Sequence, residues 1–228
     1  MPVEPPATAW QLVPAPADHP AELWALGADL EPGTLLRAYR LGLFPMPYAE
    51  TIGWFSPGRR AIVPLGEHRP SRSVRRDARR FEIRVDTSFR HVVTACARPG
   101  APESWIDEAV VDAYARLHEL GWAHSVEAWD DDGLAGGLYG VAIGGLFAAE
   151  SMFFARSGGS KAAFAGLVEL LREAGEVERR LLDVQWLTPH LASLGAVEIG
   201  RADYAVRLSD ALELAAPTTI GRCRSRGP

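Results

Sequence analysis

The chain has 228 residues, 47% of them apolar and 23% charged, which is enough to bury a real core and excludes a disordered or fibrous chain. A net charge of -5 excludes a protein that coats nucleic acid over its whole surface, and no apolar run approaches the roughly 20 residues of a membrane-spanning helix. Cys96 and Cys223 are too few and too far apart for a disulfide framework or a zinc site, and the start lacks a basic-then-apolar leader, so a cytoplasmic protein is expected.

Residues 1–20 are rich in Pro and Ala and are expected to be disordered. A helix is expected over 30–41, with Pro32 in its first turn, Leu35, Leu36 and Tyr39 on one face and Gly42 as the stop. Phe44-Pro-Met-Pro-Tyr48 and Trp54-Phe-Ser-Pro-Gly-Arg-Arg60 read as ordered loop. Between Arg69 and Arg90 stand eight arginines against Asp77, Glu82 and Asp86, a local excess of five positive charges on an acidic body. Such a patch suits either one anionic partner or a solvated face. Thr87 could cap a helix that buries Phe89, Val92, Val93 and Cys96. The clearest helix covers 107–120, with Val110, Tyr114 and Leu117 at helical spacing and Gly121 closing it.

The period then changes. Residues 125–129 and 134–143 flank Asp-Asp-Asp-Gly, a hairpin signal, and Gly144-Gly145 turns into 146–153, making a three-stranded meander. A helix over 160–174 turns Phe164, Leu167, Val168 and Leu171 inward. A buried strand follows over 181–185, then a short helix from Thr188-Pro189 to Gly195, a strand over 197–199, a last helix over 202–214 and a disordered tail over 215–228. This order predicts an α+β fold with a mixed sheet and one crossover between neighbouring strands.

Four features could carry chemistry. Asp183 and Gln185, two apart on a strand, share a face, and a carboxylate beside an amide can orient or deprotonate an amine while the amide donates to an oxyanion; they could equally be polar groups at a strand end. Glu150 stands in an otherwise apolar strand, where a carboxylate is costly unless it faces a cleft or pairs with an arginine. Arg156-Ser-Gly-Gly-Ser-Lys161 runs into a helix and could cradle a phosphate or simply form a capped turn. Trp54, Phe55 and Trp105 could stack bases or fill a gap between domains. The six histidines show no H-x-x-x-H pairing, and no Ser or Cys carries a nucleophile signature.

Taken together, a series of segments resembles the leucyl/phenylalanyl-tRNA–protein transferases. They are Leu26-Gly-Ala-Asp-Leu30, Leu35-Leu-Arg-Ala-Tyr-Arg40, Gly42-Leu-Phe-Pro45, Trp54-Phe-Ser-Pro57 with Arg60, Ser71-Arg-Ser73 and Ser104-Trp-Ile106. Ala113-Tyr114, Leu117-His118, Ala123-His-Ser-Val-Glu127, Gly136-Gly-Leu-Tyr-Gly-Val141 with Phe147, Glu150-Ser-Met-Phe153, Ser160-Lys161, Asp183-Val-Gln185 and Ser193-Leu-Gly-Ala196 complete the series, in order, over about residues 23 to 210. The resemblance implies a small N-terminal domain, here 21–67, and a GNAT-like acyltransferase domain, here 68–214. It implies transfer of Leu or Phe, less readily Met, from aminoacyl-tRNA to proteins beginning with Arg or Lys, which marks them for degradation. No metal or organic cofactor is implied, and a monomer is expected because no long apolar helix face is left over.

By position, the resemblance makes Asp183 and Gln185 the central polar pair and Glu150 the acid near the aminoacyl end. Trp54 and Trp105 become walls around the terminal adenosine, and Leu138, Phe147, Leu167 and Leu171 the pocket for the Leu or Phe side chain. Arg72, Arg75, Arg76, Arg79, Arg80 and Lys161 become the cations that meet the tRNA. The sequence departs from the family at Phe55, Ala149, Phe154, Gly158-Gly159, Val184 and Thr188, mostly near the donor pocket, which bears on the ranking of Leu, Phe and Met. Two other readings are a CoA-dependent GNAT N-acetyltransferase, which would bind acetyl-CoA, and a non-catalytic tRNA- or degron-binding module, which would tolerate Asp183→Ala.

Overall fold

The computed structural model describes residues 2–97, 106–217 and 220. Along the chain, β1 (Leu23–Leu26) leads to α1 (Pro32–Arg40), to a hairpin of β2 (Phe44–Tyr48) and β3 (Thr51–Phe55), and to β4 (Arg59–Val63). Then come α2 (Arg72–Ala78), β5 (Glu82–Val85), α3 (Phe89–Cys96) and α4 (Glu108–Glu119). The meander β6 (Ala123–Asp130), β7 (Gly133–Ile143) and β8 (Leu146–Phe154) runs into α5 (Gly159–Glu173), β9 (Leu181–Gln185), α6 (Pro189–Ser193), β10 (Val197–Gly200) and α7 (Arg201–Leu212).

The boundaries have local causes. Pro32 opens α1, and the chain leaves it through Gly42 at φ +75°. Asp107 caps α4 by accepting from the Val110 amide, and Thr188 caps α6 by accepting from that of Leu191. The expected Thr87 cap is not used in α3. Thr87 and the Ser88 amide both donate to the Glu127 carboxylate, so a side chain of β6 occupies the place of the cap.

Two sheets result. One is antiparallel, in the order β1-β3-β2; the other has the order β10-β4-β9-β8-β7-β6-β5 and is antiparallel except where β8 and β9 run parallel across α5. The fold is therefore α+β with a mixed sheet, and the meander and the single crossover lie where the sequence predicts them. Three expectations need correction. The segments 44–48 and 54–60, read as loop, contribute β2, the end of β3 and the start of β4; β2 lies at a sheet edge, where Pro45 and Pro47 are tolerated. The expected boundary after residue 67 falls too late, because β4 sits between β10 and β9 in the large sheet. Residues 2–20 are packed on the body: Leu12 is buried, Trp10 donates to Asp29 at 2.9 Å, and the Val3 amide donates to the Leu120 carbonyl at 2.8 Å. Of the expected disordered tail, all but residues 215–217 and 220 lies outside the described residues.

Alternation along the strands divides the core. Tyr139, Val141 and Ala148 face α1, α3, α4 and the small sheet. Leu138, Ala142, Phe147, Leu182 and Val184 face α5. Ile62, Leu146 and Leu181 face α7. Among the described residues, no helix is long and apolar enough to cross a membrane.

Candidate active site

The site grows from two β-bulges. Opposite Tyr139 and Gly140 on β7 stand Ser151 and Ala149 on β8, which leaves Glu150 as the extra residue. Opposite Ala61 and Ile62 on β4 stand Gln185 and Asp183 on β9, which leaves Val184 as the extra one. A bulge bends its strand and re-aims a side chain. The parallel ladder between β8 and β9 runs from Leu146 and Leu181 to Ala148 and Asp183 and ends there, while β8 continues to Phe154. Beyond that point Gln185 Nε2 reaches across to Glu150 Oε1 at 3.3 Å.

Glu150 is held from three sides. Tyr114 on α4 donates to its Oε2 at 3.1 Å, and the Tyr114 and Tyr39 hydroxyls are 2.5 Å apart. Burial pushes the Glu150 carboxyl up to about 7; hydrogen bonds from Tyr39 and Tyr114 oppose that shift, and the charge of Asp183 adds to it. Burial also holds the phenols of Tyr39 and Tyr114 well above their ordinary range, so they remain neutral donors.

Asp183 has a different environment from the one its spacing suggests. It is fully buried, and Arg60 grips it with Nε at 2.9 Å and Nη2 at 2.7 Å. Tyr204 on α7 donates to the same Oδ2 at 2.9 Å, and the Gln185 amide donates to Oδ1 at 3.0 Å. That last bond holds Gln185 at φ +57°, a left-handed conformation that costs a non-glycine residue about 1 kcal/mol or more. Arg60 donates its remaining nitrogen to the Gly42 carbonyl at 3.0 Å, and its guanidinium lies between the rings of Phe44 at 4.6 Å and Tyr204 at 4.4 Å. One ion pair thus ties together the small sheet, β4, β9 and α7.

Glu150 and Gln185 come together, with Asp183 behind them bonded to the Gln185 backbone. The substrate walls do not all hold. Trp54 is fully buried, with its indole N–H donating to the Gly27 carbonyl at 2.8 Å, so its ring is closed to a nucleotide. Trp105 lies outside the described residues. Leu138, Phe147, Leu167 and Leu171 pack against one another between the large sheet and α5, on the face opposite Tyr114, and are core. They were expected as a pocket from the family resemblance by position, and in this fold those inward-facing positions are filled by one another.

A cavity of about 470 Å³ lies elsewhere, between the β2–β3 hairpin and the start of α4. Leu30, Met46, Ile52 and Val110 supply its apolar wall, Glu50 and Asp107 its carboxylates, and Tyr114 is shared between this wall and Glu150. On the α5 side, Arg72, Arg75, Arg76, Arg79 and Arg80 are exposed along and just after α2, which packs on α5. Lys161 is half-buried at the start of α5, and its charge, after burial, helps to lower the pKa of His190 on α6. Arg156 is committed to Asp130, with contacts at 2.7 and 2.6 Å. A Cβ on Gly136 would stand 2.6 Å from the Gly159 and Ser160 backbone, so the glycines before α5 serve a close approach of helix to sheet.

Comparison with known proteins decides the family. The leucyl/phenylalanyl-tRNA protein transferase model matches residues 62–209, and the model of that family's N-terminal domain matches 28–58. The chain belongs to the leucyl/phenylalanyl-tRNA protein transferase family. A relative of that name from Chlorobaculum tepidum is 49% identical over 184 residues, 78% of this chain and 93% of its own. Another from Anaeromyxobacter sp. (strain K) is 48% identical over 216 residues, 92% of this chain and 90% of its own. Among solved structures, the C-terminal domain of a putative lysylphosphatidylglycerol synthetase from Agrobacterium fabrum covers 83% of this chain and 72% of its own, with a TM-score of 0.46 and 14% identity. The interval between the two family models brackets the start of β4, in keeping with the earlier boundary. Four residues that build this candidate site were not singled out as site residues from the sequence. Tyr39, Arg60 and Tyr114 stand inside the matching segments, whereas nothing in the expected last helix singles out Tyr204 until the fold brings it to Asp183.

Proposed function

We propose that this transferase moves leucine or phenylalanine, and less readily methionine, from aminoacyl-tRNA to the α-amino group of an N-terminal arginine or lysine, marking the acceptor protein for degradation. The observation that carries the chemistry is Glu150, a carboxyl with a pKa of about 7 at the point where β8 and β9 part. A base poised near the working pH is well suited to accept a proton from an amine. The amine nitrogen bonds to the ester carbonyl carbon and the bond from that carbon to the ribose oxygen breaks. The proton lost by the amine passes to Glu150 and is returned to the departing oxygen. Gln185 holds Glu150 by its amide, and Asp183, enclosed by Arg60 and Tyr204, positions Gln185 through its backbone.

The cavity beside Tyr114 receives the aminoacyl end of the donor. Its volume of about 470 Å³ lies in the range of small-molecule pockets, and its apolar wall ranks side chains by size with only ~1–3 kcal/mol per methylene, which permits several donors. Arg72, Arg75, Arg76, Arg79, Arg80 and Lys161 meet tRNA phosphates. The meander, the β8–α5–β9 crossover and the parting strands support a GNAT-like acyltransferase arrangement of the large sheet. An acetyl-CoA reading has less support, because Arg156 is taken by Asp130 and the adjoining glycines by packing.

The test supplies Leu-, Phe- and Met-tRNA, radiolabelled in the amino acid, to the protein with a peptide beginning in Arg and its counterpart beginning in Ala. RNase-sensitive label on the Arg peptide alone is expected. In single-turnover transfer, the rate should rise with pH through about 7, and Glu150→Gln should be slow and flat. Label on both peptides overturns the acceptor reading, and a normal profile in Glu150→Gln overturns its role as base.

A further inference from the structure

Beside Gln185, on the side away from the donor cavity, the fold sets an exposed carboxylate that pairs with no cation among the described residues. This is Glu22, just before β1. We propose that Glu22, oriented by Trp186, binds the positively charged side chain of the acceptor's N-terminal arginine or lysine. The inference rests on the transferase reading above and adds to it the residue that selects the acceptor.

The geometry starts from β9. Trp186 directly follows Gln185, and its indole Nε1 donates to Glu22 Oε2 at 3.0 Å. The indole packs edge-on against Phe44 and Phe55, with ring centroids 4.7 and 5.7 Å away, so the donor that orients the carboxylate is itself held. The Ser56 amide donates to the Glu22 carbonyl at 2.7 Å and fixes the backbone below it. Phe44, Phe55 and Trp186 belong to the core layer that also contains Tyr114, the donor to Glu150. Glu150 and Trp186 therefore lie on the same side of the large sheet. Gln185 links them, by its amide to the one and by a peptide bond to the other.

Charge completes the argument. Arg201 feels the charge of Glu22, but its terminal nitrogens are spent on the carbonyls of Pro16, His19, Ala21 and Ser56. Trp186 occupies Glu22 Oε2, and Oε1 has no hydrogen-bond partner among the described residues. An ammonium or guanidinium supplies both the charge and the donors that this carboxylate lacks, and a neutral N-terminal side chain supplies no charge. The other carboxylates near the site, Glu50 and Asp107, line the donor cavity, which reaches the tip of the β2–β3 hairpin at Ala49 and Thr51. Glu22 stands at the opposite end of β3, beside Ser56. With the donor beside Tyr114, the acceptor amine meets Glu150 from the Gln185 side. A basic residue carries its charge at the far end of its side chain, and the Trp186 indole sets Glu22 off from Gln185 in the same way.

The test measures transfer from Leu-tRNA to peptides that differ only in their first residue, which is arginine, citrulline or alanine. Citrulline keeps the shape of arginine without its charge. The wild type should prefer the arginine peptide to the citrulline peptide by about tenfold or more in kcat/KM. Glu22→Gln should raise KM for the arginine peptide roughly fivefold or more, leave kcat and the KM for Leu-tRNA in place, and bring the arginine and citrulline peptides close together. Trp186→Phe keeps the aromatic packing and removes the N–H, so it should raise the same KM by a smaller factor. Asp18→Asn removes another exposed carboxylate near Arg201 and should leave that KM unchanged. An unchanged preference for arginine over citrulline in Glu22→Gln, or a loss shared equally by all the peptides, overturns the proposal. In either case, label on the arginine peptide from the wild type keeps the transferase reading intact. Absence of label on every peptide from the wild type overturns that reading and this inference with it.

Discussion

Glu150 and Asp183 are two carboxylates with opposite surroundings, and this separates their tasks. Burial raises the Glu150 carboxyl from 4.5 to about 7, so the folded protein holds this proton more tightly than the unfolded chain does. Its contribution is therefore fully present below pH 4.5 and lost as pH rises to 7, an effect of at most about 3 kcal/mol. Glu150→Gln keeps an acceptor for Tyr114 and removes the titration. It should flatten that loss and raise the urea midpoint at pH 8 relative to the wild type, while leaving pH 4 little changed. Equal urea profiles for the two proteins at both pH values would sink the assignment. Asp183 is bound on both oxygens by Arg60, Tyr204 and the Gln185 amide. Removing one partner of a buried ion pair leaves an uncompensated charge, so Asp183→Ala and Arg60→Met should each lower stability by about 3–5 kcal/mol in denaturant titrations. In a double-mutant cycle the two losses should fall well short of additive.

Elements meet the site through close backbone approaches. The start of α5 lies so near β7 that a methyl group on Gly136 would stand 2.6 Å from the Gly159 and Ser160 backbone. Gly136→Ala should therefore push the helix from the sheet at a cost of about 1–3 kcal/mol, seen as a fall of several degrees in melting temperature. α2 makes a separable contribution. Arg72, Arg75 and Arg79 are exposed, so Arg75→Gln and Arg79→Gln should leave melting unchanged. Each should weaken tRNA binding and lower its salt-dependence slope by about 1 if that arginine meets a phosphate. A melting shift without an affinity change would make the patch an ordinary solvated face.

For the whole molecule, the N-terminal segment acts as a strap. Leu12 is buried in the first core, Trp10 and the Val3 amide bond to the body, and Glu4 pairs with Arg40 at 2.7 Å. Deleting residues 2–20 exposes the surface that Leu12 covers. The expected loss is about 2–3 kcal/mol, or some 4–12 °C in melting temperature, checked by calorimetry on the shortened chain. An unchanged melting temperature would show that the segment adds nothing to stability.

The sequence by itself determined most of the elements and the family. Helical spacing located α1, α4 and α5, turn chemistry located the meander and α6, and ordered motifs over most of the chain carried the resemblance. It also named Glu150, Asp183 and Gln185, because a polar residue in an apolar strand is legible without coordinates. Only the tertiary structure decided what each of them touches. The two bulges and the end of the β8–β9 ladder turn Glu150 toward Gln185 and Tyr114, and Arg60, from another strand, takes up Asp183. Tertiary packing also assigned Leu138, Phe147, Leu167 and Leu171 to the core and Trp54 to a closed face. Local periodicity reports which face is inward. Whether that face meets a cavity, a partner charge or another side chain depends on residues distant in the chain.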